Sequence, residues 1–146
     1  MTYHVLMVCE GNICRSPMAA ALLARDMPHV EVRSVGTHAL AGRGASPVAV
    51  ELMGDRGLDI STHMSTLLTP AHLRRADLVL VMTQTQRELI ETKHPYVRGK
   101  IYRLGDHDDL DVVDPYQRGP FIFELAVEQI EQGVSRWLET IAQLSH

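Results

Sequence analysis

The stretch Cys9-Glu10-Gly11-Asn12-Ile13-Cys14-Arg15-Ser16-Pro17 joins a thiol, a glycine, an arginine and a helix start directly after the apolar run Tyr3 to Val8. Each part suits a phosphoryl group. Ser16 reads as a helix N-cap and Pro17 as the first helical residue, where a missing N–H is tolerated. Met18 to Arg25 is then rich in good helix formers. Such a helix aims its positive end and its unpaired N–H groups back at the loop, which makes an anion site. Gly11 and Asn12 tolerate left-handed backbone angles, so the loop can curl into a nest of N–H donors. Arg15 adds a planar fork matched to two phosphate oxygens. Cys9 falls at the floor of that cup. A thiol beside a helix N-terminus and an arginine loses its proton more readily, and the thiolate is the nucleophile. Ser16 can donate a hydrogen bond to that sulfur. The chemistry is nucleophilic attack at phosphorus without a metal or cofactor. A cysteine after a buried strand is otherwise a small core residue, and Cys-x5-Arg alone is a weak motif. The strand–loop–helix context separates the two readings.

The elements that must hold this loop are legible as well. Tyr3-His4-Val5-Leu6-Met7-Val8 and Asp77-Leu78-Val79-Leu80-Val81-Met82 are near-continuous apolar runs, suited to central parallel strands covered on both faces. Val30 to Val35 alternates, as at a wetter edge, and Lys100 to Leu104 is a candidate for the other edge. Helices are expected near 16–26, 47–56, 70–75, 84–93 and 120–143. On the last, Phe123, Val127, Ile130, Val134, Trp137, Leu138, Ile141 and Leu144 recur at three and four, the stripe of a core-facing helix. The alternation predicts an α/β fold: a four-stranded parallel sheet in the order 2-1-3-4, flanked by helices in a flavodoxin-like three-layer sandwich. In that order the chain reverses direction beside the first strand, and ligands bind at the carboxyl end of strands at such a switch point. The Cys9 loop falls there.

At 146 residues the chain reads as one domain, 1–146, with room for a substantial core. A formal charge of −4 argues against general nucleic-acid binding, so attraction for phosphate must be local to the loop. Both cysteines lie inside the loop, which leaves no disulfide framework. No apolar run approaches membrane-spanning length, and the N-terminus lacks a signal-peptide layout. The cytoplasm is the expected compartment, and its reducing conditions keep a nucleophilic thiol usable. The histidines show no metal-ligand spacing, and no metal is expected.

These residues resemble the low-molecular-weight protein tyrosine phosphatases, whose signature loop reads Cys-x-Gly-Asn-x-Cys-Arg-Ser-Pro. The resemblance continues at Ser34-Val35-Gly36-Thr37, His63, Asp77 to Met82 and Asp114-Pro115-Tyr116, in the expected order along nearly the whole chain. It implies a phosphatase domain with Cys9, Arg15 and Asp114 as catalytic residues and Glu10 to Ser16 as the phosphate-binding loop. Locally, Asp114 before Pro115 is a turn aspartate in an acidic stretch. The resemblance makes it the general acid, with Asp111 as the backup. The Cys9 thiolate would attack phosphorus while Arg15 and loop amides hold the equatorial oxygens. Protonated Asp114 would donate to the departing phenol and then act as base towards water. Thiolate and neutral acid must coexist, so activity is expected to peak on the acid side of neutrality. Asn12, Ser34 and His63 match a hydrogen-bond network that props the loop, joined by Ser16.

The resemblance further implies a substrate rim of Ile13, His38, Leu40 and Tyr116. Cys14 is either a small core residue or the partner of Cys9 in a reversible disulfide, as the matching pair in the family can be. One departure stands at Thr83, where the family usually has an acidic residue, so ionic support for Arg15 from there is missing. The run His38 to Pro47 looks like the bacterial subgroup serving exopolysaccharide or capsule assembly, which implies a tyrosine-phosphorylated partner that is an autophosphorylating bacterial tyrosine kinase. Rivals of the same fold are arsenate reductases, whose thioredoxin-coupled kind needs downstream cysteines absent here, and protein-arginine phosphatases, which carry threonine at the position of Ile13. A phosphotyrosine-binding module without catalysis would lack Cys9, Arg15 or Asp114. Oligomeric state is not legible.

Overall fold

The computed structural model describes residues 2–145. Four parallel strands, β1 (His4–Cys9), β2 (Glu31–Gly36), β3 (Leu78–Val81) and β4 (Ile101–Arg103), form one sheet in the order β2-β1-β3-β4. This is the expected order. The continuous apolar runs mark the two central strands because each is covered on both faces. Along β1, Val5, Met7 and Cys9 face one core cluster while Leu6 and Val8 face the other. Along β3, Leu78 and Leu80 join the first cluster and Val79 and Val81 the second. The outer strands are wetter, as the alternation in β2 predicts.

Helices α1 (Arg15–Asp26) and α5 (Pro120–Leu144) pack together over the Cys9 side of the sheet, with α2 (Pro47–Gly54) beside them. Helices α3 (Pro70–Arg75) and α4 (Gln84–Lys93) supply Leu73 and Ile90 to the other face. Both start on threonine: Thr69 and Thr83 accept from the third helical N–H, and the residue there returns a bond to the threonine N–H. On α5 the stripe buries Phe123, Val127, Ile130, Val134, Trp137 and Ile141, whereas Leu138 is half-buried and Leu144 lies 54% exposed on the last turn. The helix outruns the core there. Burial of side chains this size stabilises by roughly 1.5–3 kcal/mol each, which holds α5 against the sheet. Among the described residues no helix is long and apolar enough to cross a membrane.

The end of α2 and the start of α1 differ from expectation. Helix α2 stops at Gly54 because the chain closes into turns in which Arg56 N–H donates to Met53 and Gly57 N–H to Gly54. Helix α1 begins at Arg15, with Cys14 at the N-cap position and no side-chain cap. Ser16 is therefore not the cap. Its hydroxyl is fully buried and turned towards the sulfur of Cys9.

Candidate active site

The loop between β1 and α1 wraps a sulfur. Cys9 is the last residue of β1, opposite Gly36 of β2 in the sheet register, and is 3% exposed. Its Sγ lies 2.9 Å from Ser16 Oγ and accepts from the Asn12 backbone N–H at 3.2 Å. One N–H donor and one hydroxyl able to donate thus meet the same sulfur. Ser16 Oγ receives Asn12 Nδ2 at 2.8 Å, which frees its single proton for the sulfur or for the Val35 carbonyl at 3.4 Å.

Asn12 is the hub. Its backbone sits in the left-handed region at φ 57°, which asparagine tolerates, and its side chain is fully buried. Besides Ser16, its Nδ2 donates to Ser34 Oγ at 3.0 Å, and its Oδ1 accepts from Thr66 N–H at 2.9 Å. Its carbonyl meets His63 Nε2 at 2.7 Å. Asn12, Ser16, Ser34 and His63 are thus brought together as the sequence suggests, and Thr66 joins through its backbone. Asn12→Ala should strand the Thr66 N–H and the Ser34 hydroxyl and leave Ser16 Oγ with only Cys9 and Val35, destabilising the fold by about 2 kcal/mol. Urea unfolding of the variant would measure this, and a loss below about 1 kcal/mol would contradict the hub. Gly36 is equally constrained: a Cβ there would lie 2.5 Å from the Glu10 carbonyl oxygen and 2.9 Å from Asn12 N. The second strand can lie against the loop only without a side chain at that position.

Arg15, 4% exposed, is aimed by structure the sequence does not reveal. Its Nη1 donates to the Val112 carbonyl at 3.0 Å, and its Nη2 lies 3.8 Å from Asp114 Oδ2. Thr83 takes no part in this and instead caps α4. Asp114 is half-exposed, with its Oδ1 accepting from Tyr116 N–H at 3.1 Å. Asp111 is engaged elsewhere: Oδ1 accepts from Gln84 N–H at 2.9 Å and from Arg103 at 3.1 Å. Asp111 does not line the cleft that Cys9, Arg15 and Asp114 share.

Cys9, Glu10, Gly11, Ile13, Cys14, Arg15, His38, Leu40, Asp114 and Tyr116 line one cleft of about 300 Å³, so the rim residues named from the sequence share it. Leu40 is 62% and Tyr116 50% exposed. Arg43 lines it too and was not anticipated. The loop bearing Leu40 and Arg43 is tied down by buried Ser65, whose hydroxyl donates to the Leu40 carbonyl and accepts from Arg43 N–H at 2.9 Å. A lone cation in Ala41-Gly42-Arg43-Gly44 was the available signal. Cys14 is buried beside Cys9. Burial first, and then the neighbouring Cys9 charge, push its thiol up to about 11.

Comparison with known proteins agrees with this architecture. The family profile described as low molecular weight phosphotyrosine protein phosphatase matches residues 4–145. The chain is 46% identical over 144 residues to the probable low molecular weight protein-tyrosine-phosphatase EpsP of Ralstonia nicotianae, covering 99% of each. The tyrosine phosphatase Wzb from Escherichia coli K30, solved in complex with sulphate, superposes with a TM-score of 0.91 at 34% identity, over 97% of this chain and 99% of that one. The YwlE arginine phosphatase from Geobacillus stearothermophilus superposes with a TM-score of 0.89 at 36% identity, over 99% and 97%. From the first strand to the last helix, therefore, the chain belongs to the low molecular weight phosphotyrosine protein phosphatase family, a family of cysteine-dependent enzymes.

Proposed function

We propose that this chain hydrolyses phosphotyrosine in a protein substrate through a phosphocysteine at Cys9. The observation that carries the reading is the cleft itself, which Cys9, Arg15 and Asp114 line together, with Arg15 Nη2 3.8 Å from Asp114 Oδ2. The Cys9 thiolate attacks phosphorus, the bond from phosphorus to the phenolic oxygen breaks, and the phenol leaves with the proton of Asp114. Arg15 and the N–H groups of Glu10 to Ser16 hold the three equatorial oxygens. Asp114, now a carboxylate, takes a proton from water, whose oxygen attacks phosphorus and releases the Cys9 thiolate and inorganic phosphate. The Ser16 hydroxyl, 2.9 Å from the sulfur, supports the thiolate in both half-reactions. Asn12, Ser34 and His63 hold the loop in place, and Ile13, His38, Leu40 and Tyr116 shape the entrance. The reaction needs no metal or cofactor.

Similarity to an arginine phosphatase makes phosphoarginine the second reading. Isoleucine at position 13, where the resemblance puts threonine in the arginine enzymes, favours tyrosine. The test is phosphate release from a phosphotyrosine peptide and a phosphoarginine peptide in parallel. Release from phosphotyrosine alone is expected. Turnover of phosphoarginine alone would assign the chain to the other class. On the resemblance of His38 to Pro47, the substrate is an autophosphorylating bacterial tyrosine kinase in exopolysaccharide or capsule production, met in the cytoplasm.

Cys14 fits a protective role. Peroxide converts the Cys9 thiolate to a sulfenic acid; the Cys14 thiolate then attacks that sulfur, the S–O bond breaks, hydroxide leaves, and the disulfide formed is reversed by an added thiol. Burial still holds the Cys14 thiol above its ordinary value once Cys9 is oxidised, so its thiolate fraction is small at neutral pH and rises with pH. Recovery of peroxide-treated enzyme on adding thiol should therefore improve with the pH of the peroxide step, and Cys14→Ser should recover poorly throughout. Equal recovery in the variant would remove the role.

A further inference from the structure

The long-range hydrogen bonds that fasten the segment carrying Asp114 lie upstream of it, while Pro115 just downstream is held by burial. Upstream, Asp111 is fixed by the Gln84 N–H and Arg103, and Val112 donates its N–H to the Met82 carbonyl at 2.9 Å. The Val112 carbonyl is taken by Arg15. Downstream, the bonds are local: Tyr116 N–H returns to Asp114 itself, and Arg118 reaches the Asp114 carbonyl at 3.4 Å. The last tie before the carboxyl is Val113 N–H, which donates to Gln129 Oε1 at 2.8 Å. Gln129 stands on α5 between buried Val127 and Ile130, so a helix packed into the core presents its amide to this one loop N–H.

We infer that Gln129 is a positioning residue for the Asp114 general acid, transmitting the rigidity of α5 to the peptide unit next to the acid. This rests on the proposed role of Asp114. Proton donation requires the carboxyl within hydrogen-bond reach of the leaving oxygen, and a half-exposed side chain on a locally bonded turn holds that aim only if its backbone is fixed. Without the Gln129 oxygen, Val113 N–H turns to water and the acid samples positions from which it cannot donate.

General-acid help matters most when the leaving oxygen is basic, which separates this role from simple support of the fold. The measurement is kcat/KM across aryl phosphates running from 4-nitrophenyl phosphate, with its acidic phenol, to phenyl phosphate, whose phenol is as basic as tyrosine. Gln129→Leu should lose about tenfold on phenyl phosphate and about twofold on 4-nitrophenyl phosphate. Gln129→Glu keeps an oxygen for the Val113 N–H and should restore the wild-type dependence. Asp114→Asn, measured alongside, should show the steepest dependence. Equal losses on all substrates in Gln129→Leu, no loss, or a glutamate variant behaving like leucine would overturn the inference while the acid role stands. A flat profile in Asp114→Asn would overturn the acid role and the inference together.

Discussion

Cys9→Ser is expected to release no phosphate from a phosphotyrosine peptide above background, a loss on the order of 10,000-fold or more, while still binding the peptide. Serine is nearly the same size, so the packing of a residue 3% exposed at the end of β1 should survive. What changes is the atom. An alkoxide is not accessible near neutral pH without a general base, and the contacts at Sγ are a hydroxyl, Ser16, and a backbone N–H, Asn12. They support a negative sulfur and offer nothing to deprotonate a hydroxyl. Arg15 and the loop amides are untouched, so phosphopeptide affinity measured by calorimetry should stay within a few-fold of the wild type. Turnover at even a hundredth of the wild-type rate would remove Cys9 as the nucleophile.

Arg15→Lys should cost on the order of a hundred- to a thousandfold in kcat/KM despite conserving charge. Arginine does two jobs here that lysine cannot combine. In the proposed reaction its planar fork addresses two equatorial phosphoryl oxygens, and its Nη1 donates to the Val112 carbonyl at 3.0 Å. A lysine satisfies either the carbonyl or the phosphate, and it presents the phosphate with a point charge in place of a fork. The same bond links the phosphate cup to the acid segment, so loosening of the 112–114 stretch is expected as well. Steady-state kinetics on the phosphotyrosine peptide would check this, and a loss under tenfold would show that charge alone suffices. The missing acidic residue at position 83 loses importance here. Thr83 is committed to capping α4, and Arg15 finds its orientation from a backbone carbonyl and Asp114.

Ser16 shows where reading a sequence fails. Serine followed by proline after a loop is a good N-cap pattern, and the helix does start there. In the folded chain the first helical residue is Arg15, two before Pro17, and the Ser16 hydroxyl turns to the sulfur and Asn12. Local sequence fits both uses; burial against β2 decides between them. Thr83 shows the same limit in reverse, since its capping pattern was available from Gln86 three residues on.

The sequence by itself determined the α/β alternation, the strand order and the gathering of Cys9 to Ser16 in one strand-to-helix loop. Those follow from run length, periodicity and short spacing, which act within a few residues. Asn12, Ser34 and His63 were recognisable as a set only by resemblance, because their spacing carries no period. Tertiary structure alone decided how the cup is aimed. Arg15 is oriented by a carbonyl 97 residues away, Asn12 by a backbone amide at Thr66, and the acid segment by the amide of Gln129. Backbone donors and acceptors are the same at every residue, so nothing in the sequence marks which of them a buried side chain will find. Only the packed chain brings one within reach.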